Sequence, residues 1–81
     1  MAASGPYGER RMTIRNGSVK TGVVVRTLAE LKEKGAPLLG LQASNCRVQL
    51  EEGIEVIKEE YFSFLEKDTV FVLSMLLYEL L

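Results

Sequence analysis

The chain of 81 residues contains no histidine. That removes the commonest general base and the commonest metal ligand together. Cysteine occurs once, as Cys46, so no internal disulfide forms. A nucleophilic thiolate at Cys46 has no imidazole to activate it. One free thiol fits a reducing intracellular compartment, cytoplasmic or nuclear. At the start of a strand it serves as a small buried hydrophobe. There is no phosphate-binding loop: residues 35–40 have two glycines but lack the closing Lys-Ser/Thr. An Asp-rich calcium loop is missing as well. The acids that do cluster, Glu51, Glu52, Glu55, Glu59 and Glu60, fall on turns. No catalytic residue, metal ligand or cofactor is therefore assigned, and an enzyme is not expected. Long apolar runs are also lacking. Residues 70–81 are strongly apolar but carry Ser74 and Glu79, and they fall short of the roughly 20 residues of a transmembrane helix. The first ten residues are small and polar, unlike a secretory signal.

What is present is one small folded domain. The apolar share is 47%, ordinary for a packed core and too high for disorder. Residues 1–9 form a disordered leader, 10–74 the domain, and 75–81 an apolar tail that either folds back as a helix or stays exposed. Residues 12–15 alternate apolar and polar, as a half-buried strand does. Asn16-Gly17-Ser18 signals a turn, and the β-branched stretch 19–25 a second strand. Thr27 and Glu30 form a capping box that starts a helix with Leu28 and Leu31 inward. Gly35 and Pro37 stop or kink it. Cys46, Val48 and Leu50 mark the inner face of a third strand, and Arg47, Gln49 and Glu51 its outer face. Glu52-Gly53 turns the chain into a short fourth strand over 55–57. Residues 58–65 form a short helix with Phe62 and Leu65 inward. The run 69–73 is apolar throughout, as in a central strand covered on both faces. The pattern predicts an α+β fold: a mixed sheet of about five strands, one main helix and one short helix, as in the ubiquitin-like roll.

Charge is segregated along the chain. Residues 1–34 hold seven basic and three acidic side chains, net +4. Residues 35–81 hold three basic and eight acidic ones, net −5. If the hairpin and the helix share one surface, the domain has a basic and an acidic face and can bind a copy of itself, or a relative, head to tail; the alternative is that these charges simply keep a small domain soluble. Such a contact does not have to close, so open chains can form. Direct nucleic-acid binding is not expected: Arg10, Arg11 and Arg15 have no interleaved aromatics, and the acidic half repels phosphate.

Several short motifs occur in a recognisable order. Lys20-Thr21-Gly22-Val23 is followed by Leu28-Ala29-Glu30-Leu31, then Val48-Gln49-Leu50-Glu51-Glu52-Gly53, Glu59-Glu60-Tyr61-Phe62 and Asp68-Thr69-Val70-Phe71. The set resembles the CIDE-N, or CAD, domain over residues 11–74. The resemblance implies a ubiquitin-like roll that pairs its basic face with the acidic face of another CIDE-N domain. It implies Arg15, Lys20 and Lys32 as basic contacts, and Glu51, Glu52, Glu59 and Glu60 as acidic ones. Such domains occur in the caspase-activated DNase, its inhibitor, and the lipid-droplet CIDE proteins. The Lys-x-Gly-Val form is closest to the nuclease branch, and Thr21 stands where droplet members carry a second basic residue. The implied partners are a nuclease or its inhibitor in apoptotic DNA fragmentation; homotypic assembly on lipid droplets is the alternative. A PB1-like scaffold is a third reading, but that family's dense acidic motif is missing. The turn at Glu52-Gly53-Ile54 is one residue shorter than the family's usual form.

Overall fold

The structure is a computed structural model; it describes residues 8–66 and 68–76. The expected leader and tail lie largely outside those residues.

Strand β1 (Arg10–Asn16) and strand β2 (Val19–Val25) form the expected antiparallel hairpin. Gly17, at φ 62°, supplies the left-handed conformation that a two-residue hairpin turn requires. Helix α1 (Leu28–Leu38) follows, then a 3-10 turn (Ala43–Asn45) and strand β3 (Cys46–Leu50). Helix α2 (Glu59–Phe64) and strand β4 (Val70–Met75) complete the chain. The sheet order is β2-β1-β4-β3, with β1 and β4 parallel and the other pairs antiparallel.

Period-2 patterning sets the inner face. Met12 and Ile14 on β1, Val23 and Val25 on β2, Cys46, Val48 and Leu50 on β3, and Phe71 and Leu73 on β4 are all buried. Leu28 and Leu31 of α1 seal this face, and Phe62 of α2 packs on Phe71 with ring centroids 5.6 Å apart. Strand β4 is central, as expected, but it is not covered on both faces. Val70 and Val72 are half-buried because both helices lie on the inner side.

Two further expectations are corrected. The helix does not stop at Gly35 and Pro37; both lie inside it. Gly35 is buried because α1 crosses the sheet there: an added Cβ would sit 2.9 Å from Ile14 Cδ1 and 3.2 Å from Leu73 Cδ2. Pro37 falls in the last turn and does not break the helix. The stop is Gly40, at φ 77°. The Leu41 amide donates to the Ala36 carbonyl at 2.8 Å and the Gly40 amide to the Pro37 carbonyl at 3.0 Å, a Schellman ending.

Residues 55–57 form no strand, so the sheet has four rather than about five. The Gly53 amide closes a turn onto the Leu50 carbonyl at 2.9 Å, with Gly53 at φ 99°. The returning chain then makes one bridge, Gln49 to Glu55, and the Val56 amide donates to the Val48 carbonyl at 2.9 Å. Lys58 already caps α2, so no further ladder develops. This short return covers the outer edge of β3 and drops Val56 into the core.

Candidate interaction faces

Strand order places the charges. β2 is one edge of the sheet and β3 the other. Lys20 is exposed near the start of β2, paired in register with Arg15 of β1. The turn carrying Glu51 and Glu52 leaves the far end of β3, beyond the Leu50–Phe71 pair. Helix α2 lies at that same end, because Arg10, where β1 begins, holds it. The Arg10 guanidinium stands 5.1 Å over the Phe62 ring and donates to the Phe62 and Leu65 carbonyls. Lys20 and the acidic turn thus sit at opposite edges of the sheet but at nearly the same level, since Lys20, Arg15, Val72 and Gln49 form one row, while α2 with Glu59 and Glu60 lies toward the Arg10 end.

The predicted contacts do different work in the monomer. Arg15 reaches across β4, and its Nε meets Glu51 Oε2 at 3.1 Å. It also donates to the Gly17 carbonyl at 2.7 Å. Glu59 accepts from the Leu28 and Ala29 amides at 2.9 and 3.1 Å, so its carboxylate caps the N-terminus of α1. There it satisfies two amides left open by the helix start and faces the positive end of the dipole. Glu52 and Glu60 are exposed, and among the described residues neither forms an ion pair. Lys20 is in the same position. Lys32 is not brought to Lys20 and Arg15: it lies on α1, on the other side of the sheet, near Cys46. Burial pushes the Cys46 thiol up, opposed by the Lys32 charge.

Several of the remaining charges are locked locally. Arg47 meets Glu55 at 3.3 Å. Glu30 accepts from the Arg26 amide at 2.6 Å while its own amide donates to Thr27 Oγ1 at 3.0 Å. The capping box therefore reaches one residue further back than its usual form. That amide, with Lys34 and the Arg26 side chain assisting against desolvation, holds the Glu30 carboxyl below its ordinary value.

Sequence reasoning missed the Arg10 clamp and the Glu59 cap; both join residues more than 30 positions apart. It also missed an exposed apolar set, Ile57, Tyr61 and Phe64. The spacing 57, 61, 64 is itself a helical stripe, offset from the buried Phe62. Among the described residues no acidic or cysteine group is arranged to hold a metal, and no helix is long and apolar enough to cross a membrane.

Known proteins share the fold. The CIDE-N domain family model matches residues 9–76. The crystal structure of the DREP2 CIDE domain is 36% identical, with a TM-score of 0.76, covering 89% of this chain and 100% of that one. The structure of cell death-inducing DFFA-like effector c is 30% identical, with a TM-score of 0.76, covering 88% and 95%. The CIDE-N domain of FSP27 is 30% identical, with a TM-score of 0.74, covering 82% and 88%. The ubiquitin-like domain of Arabidopsis thaliana protein At2g32350, at 15% identity and a TM-score of 0.66, shares the fold, covering 93% and 85%. No curated protein matches the chain. A ubiquitin-like roll with the predicted motifs in order, matched along most of its length, belongs to the CIDE-N domain family of protein-interaction domains.

Proposed function

We propose that this domain pairs head to tail, the Lys20 edge of one copy docking on the Glu52 and Glu60 end of the next. The observation that carries the reading is that Lys20 lies on the β2 edge while Glu52, beyond β3, and Glu60, on α2, lie away from that edge, all three exposed and without an ion pair among the described residues. A contact between different surfaces leaves each pair with one open basic and one open acidic face, so chains extend. Arg15 and Glu51 already satisfy each other at 3.1 Å, so they join the contact only by exchanging partners. Glu59 serves mainly to build the acidic end, and Lys32 lies away from the Lys20 edge.

The partner is a second copy or another CIDE-N domain. We place the domain inside the cell, in the regulation of apoptotic DNA fragmentation by a nuclease and its inhibitor. In its favour is the likeness to a protein described as a cell death-inducing effector. The likeness to that effector and to the CIDE-N domain of FSP27, each at 30% identity, equally fits the second reading, homotypic assembly of the lipid-droplet CIDE type. Both readings use the same pairing.

Light scattering across protein concentration, at low and high salt, tests the pairing. Mass that rises with concentration and falls with salt supports it, because exposed charges are screened within roughly 10 Å at 0.1 M salt. Mass that stays monomeric at every concentration and salt excludes self-pairing. Capture of a nuclease or inhibitor CIDE-N domain, lost on Lys20→Glu, supports the apoptotic reading; no capture removes it.

A further inference from the structure

Beside the acidic end lies an apolar surface that charge pairing alone leaves unused. Phe64 is 80% exposed, Ile57 70% and Tyr61 40%. They line one shallow groove of about 430 Å³ whose rim is Glu55, Lys58 and Glu60. An apolar patch with a polar rim is the usual anatomy of an interface. The patch is also firmly held. Glu59 ties the start of α2 to α1, and Arg10 ties its end to β1. Phe64 is therefore a knob on a fixed base.

A matching recess lies on the outer face of the hairpin. Arg11, Thr13, Gly22, Val24 and Asp68 surround a hollow of about 560 Å³. The hollow exists because Gly22 has no side chain between Lys20 and Val24 on that face. A Cβ there would meet nothing closer than the Met12 carbonyl at 3.8 Å, so packing of the fold does not call for a glycine. The two surfaces share no residue.

The spacing of charge and knob matches that of charge and recess. Glu60 and Phe64 are four apart along α2, about 6 Å between their Cβ atoms. Lys20 and Gly22 are two apart on one face of β2, about 6.6 Å. One docking motion can therefore pair Glu60 with Lys20 and seat Phe64 over Gly22. With Glu55 held by Arg47, Glu60 is the carboxylate the rim offers, beside Lys58, and it favours a partner that brings a cation to it. The outer face of β1 and β2 supplies such cations: Arg11 lines the recess with an exposed Val24 and with Asp68, and Lys20 stands two positions from Gly22 on the same face.

We infer that Phe64 of one copy inserts into the recess over Gly22 of a second copy, forming the apolar centre of the head-to-tail contact. This rests on the head-to-tail reading and adds a part of the affinity that salt does not screen.

The test is self-association of the full chain, measured by sedimentation at low and high salt. Phe64→Ser removes the knob, Gly22→Ile fills the recess, and Lys20→Glu reverses the charge. Thermal unfolding should show the first two variants folded as well as wild type. The inference expects Phe64→Ser and Gly22→Ile each to weaken association at least tenfold at both salts. It also expects the double variant to be little worse than either single one. If Lys20→Glu abolishes association while Phe64→Ser and Gly22→Ile leave it intact, charge pairing stands and the knob-and-recess contact is wrong. If wild type never associates, the head-to-tail reading falls and takes the inference with it.

Discussion

Replacing Glu59 with alanine should destabilise the fold, and replacing its neighbour Glu60 should not. Both belong to the same acidic pair in sequence. The Glu59 carboxylate accepts from the Leu28 and Ala29 amides at 2.9 and 3.1 Å. Hydrogen bonds to a charged group contribute about 1.5–3 kcal/mol when buried, and a helix cap typically about 1 kcal/mol. Because Glu59 is exposed, the lower part of that range applies, and we expect a loss of about 1–1.5 kcal/mol. In a domain of this size that lowers the melting temperature by roughly 5–10 °C. Glu59→Gln keeps an acceptor oxygen and should lose about half as much. Glu60→Ala removes an exposed carboxylate with no ion pair among the described residues, and should stay within about 0.5 kcal/mol of wild type. Thermal unfolding followed by circular dichroism reads all three. Equal losses for Glu59→Ala and Glu60→Ala, or none for either, would refute the capping role and return Glu59 to the acidic contact surface.

Further outcomes follow from the packing. Arg10→Ala removes the cation–π contact and both carbonyl bonds at the end of α2; a loss of about 2 kcal/mol in urea unfolding is expected, and a change under 0.5 kcal/mol would show that α2 holds without it. Gly35→Val drives methyl groups into Ile14 and Leu73 and should lose about 3 kcal/mol; an unchanged urea midpoint would contradict the close helix–sheet crossing. Glu30 has a folded pKa below its ordinary 4.5, so its contribution is present above that value and disappears as pH falls through the lowered one. Glu30→Gln should therefore flatten the acid limb of the stability curve below about pH 4.5, and an unchanged limb would count against the bond to the Arg26 amide.

Legibility followed the range of the interactions. The hairpin and β3 were readable because alternation at 12–15 and 46–51 is local and sterically enforced. The N-terminus of α1 was readable for the same reason, through Thr27 and Glu30. Its end was not: Gly35 and Gly40 look alike in sequence, and only the approach of Ile14 and Leu73 shows that the first is a packing glycine. The strand expected over 55–57 has the right composition, but Gly53 returns the chain too close to α2 for more than one bridge. The acidic residues 51–60 read as one cluster. Folding sends Glu51 to Arg15, Glu55 to Arg47 and Glu59 to α1, leaving Glu52 and Glu60 outward. Those partners lie on other elements, and no local pattern announces them. The stripe at Ile57, Tyr61 and Phe64 was legible by spacing, but Phe62 and Leu65 claimed the inward face first.

Mixing two charge-reversed variants tests the central claim most directly. Lys20→Glu spoils the basic face and leaves the acidic one. Glu52→Lys with Glu60→Lys spoils the acidic face and leaves the basic one. The account predicts that each variant alone remains monomeric by light scattering at low salt, and that an equimolar mixture forms a dimer through the two intact faces and grows no further. A mixture that stays monomeric while wild type associates, or variants that assemble alone as wild type does, would contradict head-to-tail pairing.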